Sequence, residues 1–151
     1  MKLLKATIAP LVGSLVLNLV HEMARKRLSR APEINKIGEE AIAKTYKKMG
    51  KQPPSGEKRY AMAMAGDLVA NTAYYRMITG SSQRETWARG LLFGLVAGVG
   101  ALTATKPLGL DDTPVNRTTQ TKVLTVLYYT LGGLVTAAAY LALNKDVRDK
   151  A

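Results

Sequence analysis

Asn18, His21, Glu22, Asp67, Asn71 and Tyr129 are the side chains able to bind a cation, exchange a proton or hold a polar group in otherwise apolar surroundings. Their spacing groups them. Ser14, Asn18, His21 or Glu22, and Arg25 recur in steps of three and four, which sets them along one stripe of a helix; Tyr60, Met64, Asp67, Asn71 and Tyr74 do the same on a second. At a rise of ~1.5 Å per residue, Asp67 stands ~12 Å in from Arg59, Asn18 ~10 Å in from Arg25, and Tyr129 ~10 Å in from Lys122. Polar stripes at matched depth are expected to face each other or a wet cavity rather than lipid. Asp67 reads either as a neutral acid hydrogen-bonded to Asn18 or Tyr129, or as a site for a cation, a proton or a polar head group. His21 and Glu22 read either as an ordinary ion-pair region beside Arg25 and Lys26, or as acid–base partners of Asp67.

Other chemistry is excluded by composition. The chain has no cysteine and one histidine, so a disulfide framework, a thiolate zinc site, a cysteine nucleophile and a multi-histidine metal site are all ruled out within one chain. No phosphate-cradling glycine loop, GxSxG or His-x-x-x-His pair occurs. Neither a metal nor a cofactor is expected, and no catalytic residue is assigned.

The elements that must carry these stripes are long apolar segments. Four approach the ~20 residues that cross a bilayer core: residues 3–23, 60–78, 88–105 and 123–143. The last two are free of charge from Gly90 to Thr105 and from Val123 to Leu143, whereas Asp67 interrupts the second. A 151-residue soluble bundle would hardly hide four such helices. The expected fold is therefore all-α: a single polytopic membrane domain over residues 1–151 with four transmembrane helices. The first segment leads into His21-Glu22 and Arg25-Lys26-Arg27 with no small-residue cleavage site, so it is expected to stay as a spanning helix. Gly66–Tyr74 aligns without gaps onto Gly132–Tyr140, with Gly, Leu, Val, Ala and Tyr coinciding. Either two helical hairpins are tandem duplicates, or two apolar helices resemble each other by chance.

Connections and contacts follow from punctuation. Gly80 is placed to end the second helix in a left-handed cap, and Ser82 with Glu85 has capping-box spacing, which predicts a tight hairpin of the second and third helices. Pro107 and Gly109 end the third, and Thr118 or Thr119 caps the fourth. Gly90, Gly94 and Gly98 form a small-residue stripe for close helix approach, with Gly132 and Gly133 of the fourth helix as the mate or another membrane protein in its place.

Net charge is +11, and 11 of the 22 Lys and Arg fall between Arg25 and Arg59. Within that loop residues 32–50 read as an amphipathic helix. Ile34, Ile37, Ala41, Thr45 and Met49 oppose Lys36, Lys44, Lys47 and Lys48, a pattern suited to a bilayer surface with anionic head groups. The loop lacks aromatic interleaving or a nucleic-acid module, so no nucleic-acid partner is expected. The positive-inside rule puts it in the cytoplasm of a bacterial-type inner membrane, with both termini outside.

The function expected from this pattern is binding or conduction of a small solute, ion or lipid through a cytoplasm-facing cavity around Asp67, in a homo-oligomer because four helices rarely enclose a pore. One alternative is an accessory subunit that docks another membrane protein through the glycine stripe. Another is a small lipid-modifying enzyme using His21, Glu22 and Asp67. A binding site should leave Asp67 in a cavity, docking should expose the glycines, and an enzyme should bring the acid–base groups together.

Overall fold

The computed structural model describes residues 2–150, with side chains from residue 7 onward, so the first side chains of the 3–23 segment lie outside the described residues. The elements are α1 (Lys2–Arg27), α2 (Ile34–Lys48), α3 (Gly56–Tyr75), a 3-10 turn (Arg76–Ile78), α4 (Gln83–Thr103), α5 (Thr113–Asn116), α6 (Thr119–Leu143) and α7 (Lys145–Arg148). No strand occurs among the described residues. Local chemistry sets several ends. The Ser82 hydroxyl accepts from Glu85 N at 3.3 Å, while the Glu85 carboxylate reaches one residue further back, to Ser81 N and Oγ at 2.7 and 2.6 Å. Thr118 caps α6 by accepting from Thr121 N at 3.0 Å. Gly50 follows the end of α2 with φ of +68°, a conformation that costs glycine least.

Three helices are long and apolar enough to cross a membrane: α1 over Thr7–Arg27, α4 and α6. This corrects the expectation of four. With 20 residues α3 has the length, but its composition falls short. Glu57, Lys58 and Arg59 occupy its start, Asp67, Asn71 and Thr72 its interior, and its apolar positions are mainly alanine rather than leucine or isoleucine.

The helices pack around α6, with α4 against one side, α1 against the other, α3 on α1, and α2 on α3. The α4–α6 contact is made by glycines. A Cβ at Gly94 would sit 2.7 Å from the Thr130 Cα, and one at Gly98 would sit 2.6 Å from the Val126 Cα. Gly90 meets Gly133 and Ala137 in the same way, and Gly132 lies against Leu17 of α1 and the Tyr75 ring. Such backbone proximity maximises dispersion between the two helices. The Thr125, Thr130 and Thr136 hydroxyls donate to carbonyls one turn back, at 2.9, 2.7 and 2.9 Å, so these polar groups of α6 are satisfied inside the contact. Leu17, Tyr75, Ile78, Tyr129 and Ala137 form the buried cluster, and the Tyr75 hydroxyl donates to Tyr129 O at 2.7 Å.

The expected hairpin of the second and third helices is not formed. α3 and α4 succeed each other through the 3-10 turn but do not pack along their length. The end of α3 touches the middle of α4, where Tyr74 Oη donates to Phe93 O at 3.1 Å and the two rings stand edge to face. Gly80 has no left-handed backbone; instead, a Cβ there would lie 2.8 Å from Thr86 N, so glycine permits the turn to press onto α4. From that junction the two helices diverge, which opens a gap between them toward the opposite end of the bundle.

At that opposite end the two long connections are joined. Arg117 donates to Glu33 Oε2 and to Ala31 O at 2.5 Å, and to Ser29 O at 3.0 Å. Thr121 Oγ1 donates to Arg30 O at 2.9 Å, and Glu33 N to Pro114 O at 3.0 Å. The residues after α1 and the residues before α6 therefore lie on the same side of the molecule.

Candidate ligand cavity

The gap between α3 and α4 is a cavity of about 440 Å³. Its back wall is Asn18, His21, Glu22 and Arg25 of α1 with Tyr129 of α6. One side is Met62, Met64, Gly66, Asp67 and Ala70 of α3, and the other is Gly100 and Ala101 of α4 with Ala104, Thr105, Leu108 and Leu110 beyond its end. Ile34, Ile37, Gly38, Ala41 and Ile42 of α2 close the top. Gly66, Ala70, Ala104 and Leu108 are exposed, so the cavity opens sideways between the two helices.

Five of the six sequence-designated residues come together here: Asn18, His21, Glu22, Asp67 and Tyr129. Asn71 does not line the cavity. It lies one turn deeper on α3, 8% exposed, as the polar neighbour of Asp67.

The five differ in what they are free to do. Glu22 is fully engaged: it accepts from Arg25 at 2.7, 2.8 and 3.0 Å, from Tyr60 Oη at 2.7 Å, and pairs with Lys26 at 3.1 Å. Arg25 also lies 5.6 Å from the centre of the Tyr60 ring. This cluster ties α1 to the start of α3 and leaves Glu22 no role as a free acid or base. His21 is 7% exposed, held by edge contacts with Tyr128 and Tyr129 at 5.2 and 5.7 Å, and its Nε2 has no hydrogen-bond partner among the described residues. Asn18 Oδ1 is likewise buried and unpartnered. No ion pair among the described residues includes Asp67. Buried polar atoms are nearly always hydrogen-bonded in folded proteins, and those that are not call for a water, an ion or a ligand. No group of three His, Cys, Asp or Glu that would hold a metal ion occurs among the described residues.

The lysines of α2 divide in two. Lys36 pairs with Glu33 at 2.8 Å, and Lys44 pairs with Glu40 at 2.7 Å while also donating to Gly109 O; Lys47 and Lys48 are exposed. The apolar face beginning at Ile34 and Ile37 is turned onto the cavity and α3 rather than away from the protein, and only its far end, Thr45 and Met49, is exposed. Glu40 accepts from Asp111 N at 2.8 Å and Glu39 faces Arg59 at 3.7 Å, so α2 is moored to both flanking walls. Sequence reasoning assigned this face to lipid and so missed the top of the cavity. The small residues Gly100, Ala101 and Ala104 were its other signal, since they continue past the glycine stripe on a helix end with no mate. Comparison with protein-family models, curated proteins and solved structures found no match.

Proposed function

We propose that this protein is a membrane-resident binding protein for a small lipid-soluble molecule, held in the cavity between α3 and α4. The observation that carries the reading is the combination in one cavity of apolar walls with unpartnered polar atoms on His21 and Asn18 and a carboxylate on Asp67 that enters no ion pair. A volume of about 440 Å³ falls within the range of ~300–1,000 Å³ common for small-molecule sites, which pair apolar lining with a few convergent polar groups. Binding is favoured over conduction because the lining residues belong to one half of the bundle, while in the other half Tyr74 packs against Phe93. Docking through the glycine stripe is disfavoured because α6 covers Gly90, Gly94 and Gly98. Acid–base catalysis is disfavoured because Glu22 is consumed by Arg25, Lys26 and Tyr60.

In this reading α3 crosses the bilayer beside the three apolar helices, turning Asp67 toward the cavity. Its antiparallel course along α1, with Tyr60 at Glu22 and Tyr75 beside Leu17 over Gly132, supports that placement. The joined basic connections then lie on the cytoplasmic face of a bacterial-type inner membrane, with both termini outside.

The test is retention of a small molecule by purified protein in lipid nanodiscs, read by native mass spectrometry. Gly66→Phe and Ala104→Phe narrow the gap from its two walls, at positions that are exposed and, for Gly66, have nothing within 4 Å of an added Cβ. Wild type should carry an adduct that both variants lose. Equal spectra for all three would overturn the reading.

A further inference from the structure

The polar end of the cavity is unbalanced, and the imbalance specifies a class of ligand; this inference rests on the binding reading above. Two donors at the rim are already used. Arg25 gives its guanidinium to Glu22, and Asn35 Nδ2 donates to Glu39 at 3.0 Å. The acceptors lack a cation, and among the described residues Asp67 has only the side chain of Asn71 as a polar neighbour. Asn18 Oδ1 and His21 Nε2 are buried without a partner, and Asp67 joins no ion pair among the described residues. Asn18 and His21 occupy successive turns of α1, with Asp67 on the neighbouring helix α3, all three lining the same cavity. A protonated primary amine has three donors and no acceptor, which suits Asp67, able to carry the opposite charge, together with the Asn18 oxygen and, in the tautomer that leaves Nε2 unprotonated, His21.

We propose that the ligand is a long-chain aliphatic amine. Its ammonium group sits among Asp67, Asn18 and His21, and its hydrocarbon chain runs outward between the α3 and α4 walls past Met64, Ala101 and Leu108. A fatty acid of the same length fits badly. Its carboxylate would meet Asp67 with Arg25 already committed, and burying two like charges without a cation is strongly unfavourable. An alcohol supplies one donor and leaves the other acceptors empty.

Dodecylamine, dodecanol and dodecanoate make the test, each titrated at neutral pH into protein held in phosphatidylcholine nanodiscs, with bound fractions read by native mass spectrometry. Wild type should bind dodecylamine at least about tenfold more tightly than either of the others, the scale of one charge-assisted hydrogen bond. Asp67→Asn should remove that preference, lowering dodecylamine affinity at least about tenfold more than dodecanol affinity. Should Asp67→Asn fail to melt cooperatively, Asn18→Leu replaces it, with the same selective loss of the amine expected. Dodecanoate binding as tightly as dodecylamine, or an amine affinity indifferent to the substitution, would overturn the inference. Sensitivity to Ala104→Phe separates the two levels. Dodecanoate binding that Ala104→Phe abolishes refutes the amine and keeps the cavity, whereas three probes all indifferent to Ala104→Phe refute the cavity as well.

Discussion

A glycine whose absent side chain would strike backbone is a different constraint from one that merely tolerates a turn, and Gly94 is of the first kind. An added Cβ meets the Thr130 Cα at 2.7 Å and the Thr130 and Tyr129 carbonyl oxygens at 3.1 Å, none of which can rotate away. Gly94→Leu should therefore separate α4 from α6 and cost about 1–3 kcal/mol or more, the usual scale of overpacking. Leu92→Ala, at a position 56% exposed, should change thermal stability in detergent very little; equal losses would show that the stripe is not a stabilising contact. Glu33 offers a pH test outside the long helices. Burial opposes its ionisation, but hydrogen bonds from Lys36 and Arg117 outweigh this and hold its carboxyl below the ordinary value of 4.5. A depressed folded value means the link stabilises the fold above that ordinary value and weakens as pH falls through the lowered one. Wild type should thus melt above Glu33→Gln at neutral pH, and the two should converge below pH 4.5. At this scale the site was largely legible. A helical repeat of polar residues in apolar segments picked out Asn18, His21 and Asp67, because stripe membership depends only on spacing. That Glu22 is consumed and His21 is not depends on where Tyr60 and Tyr128 arrive, which spacing along one helix does not contain.

At the scale of elements, α2 is the part whose role changed most between sequence and structure. Its amphipathic face was plain from Ile34, Ile37 and Ala41, but the same pattern suits a lipid surface and a protein groove equally well. What decides between them is tertiary: Gly38 lets the helix settle so close that an added Cβ would lie 3.0 Å from the Ala63 Cβ, and Glu39 and Glu40 find Arg59 and the Asp111 amide. Because the chain has no cysteine, single thiols report on this directly. Ile37→Cys, beneath the helix, should react with a water-soluble maleimide many-fold more slowly than Lys47→Cys on its exposed side, and Gly38→Leu should erase much of that difference by lifting α2 from α3. Equal reactivity in the wild-type background would mean that α2 does not cover the cavity. The α3–α4 junction was misread for a related reason. A short loop with helix caps predicts adjacency of helix ends, but whether the helices stay together is set by their faces. α4 spends its glycines on α6, and α3 spends its polar stripe on α1 and the cavity, which leaves nothing to zip the two together.

Across the whole molecule, order in the bundle follows from which helices own backbone-close surfaces. α6 has glycines on two sides, against α4 and α1, and so becomes the centre. α3 lacks such a surface toward α4 and stands apart, and the cavity is the space that remains. The shared end of the two basic connections, joined by Arg117 to Ser29, Ala31 and Glu33, makes a topological prediction. Thiols introduced at Ser55 and Lys106 should label from the same side of an intact membrane, and one at Ser82 from the other; labelling of all three from one side would exclude the proposed arrangement. The central claim is that the α3–α4 gap takes up a molecule from the bilayer, and photolabelling tests it most directly. A dodecylamine derivative bearing a terminal diazirine, activated in nanodiscs and mapped by peptide mass spectrometry, should crosslink to Met62, Met64, Ala101 and Leu108, and excess dodecylamine should suppress the crosslinks saturably. Crosslinks spread over the outward leucines and valines of α4, such as Leu92 and Val96, and unaffected by the competitor, would contradict it.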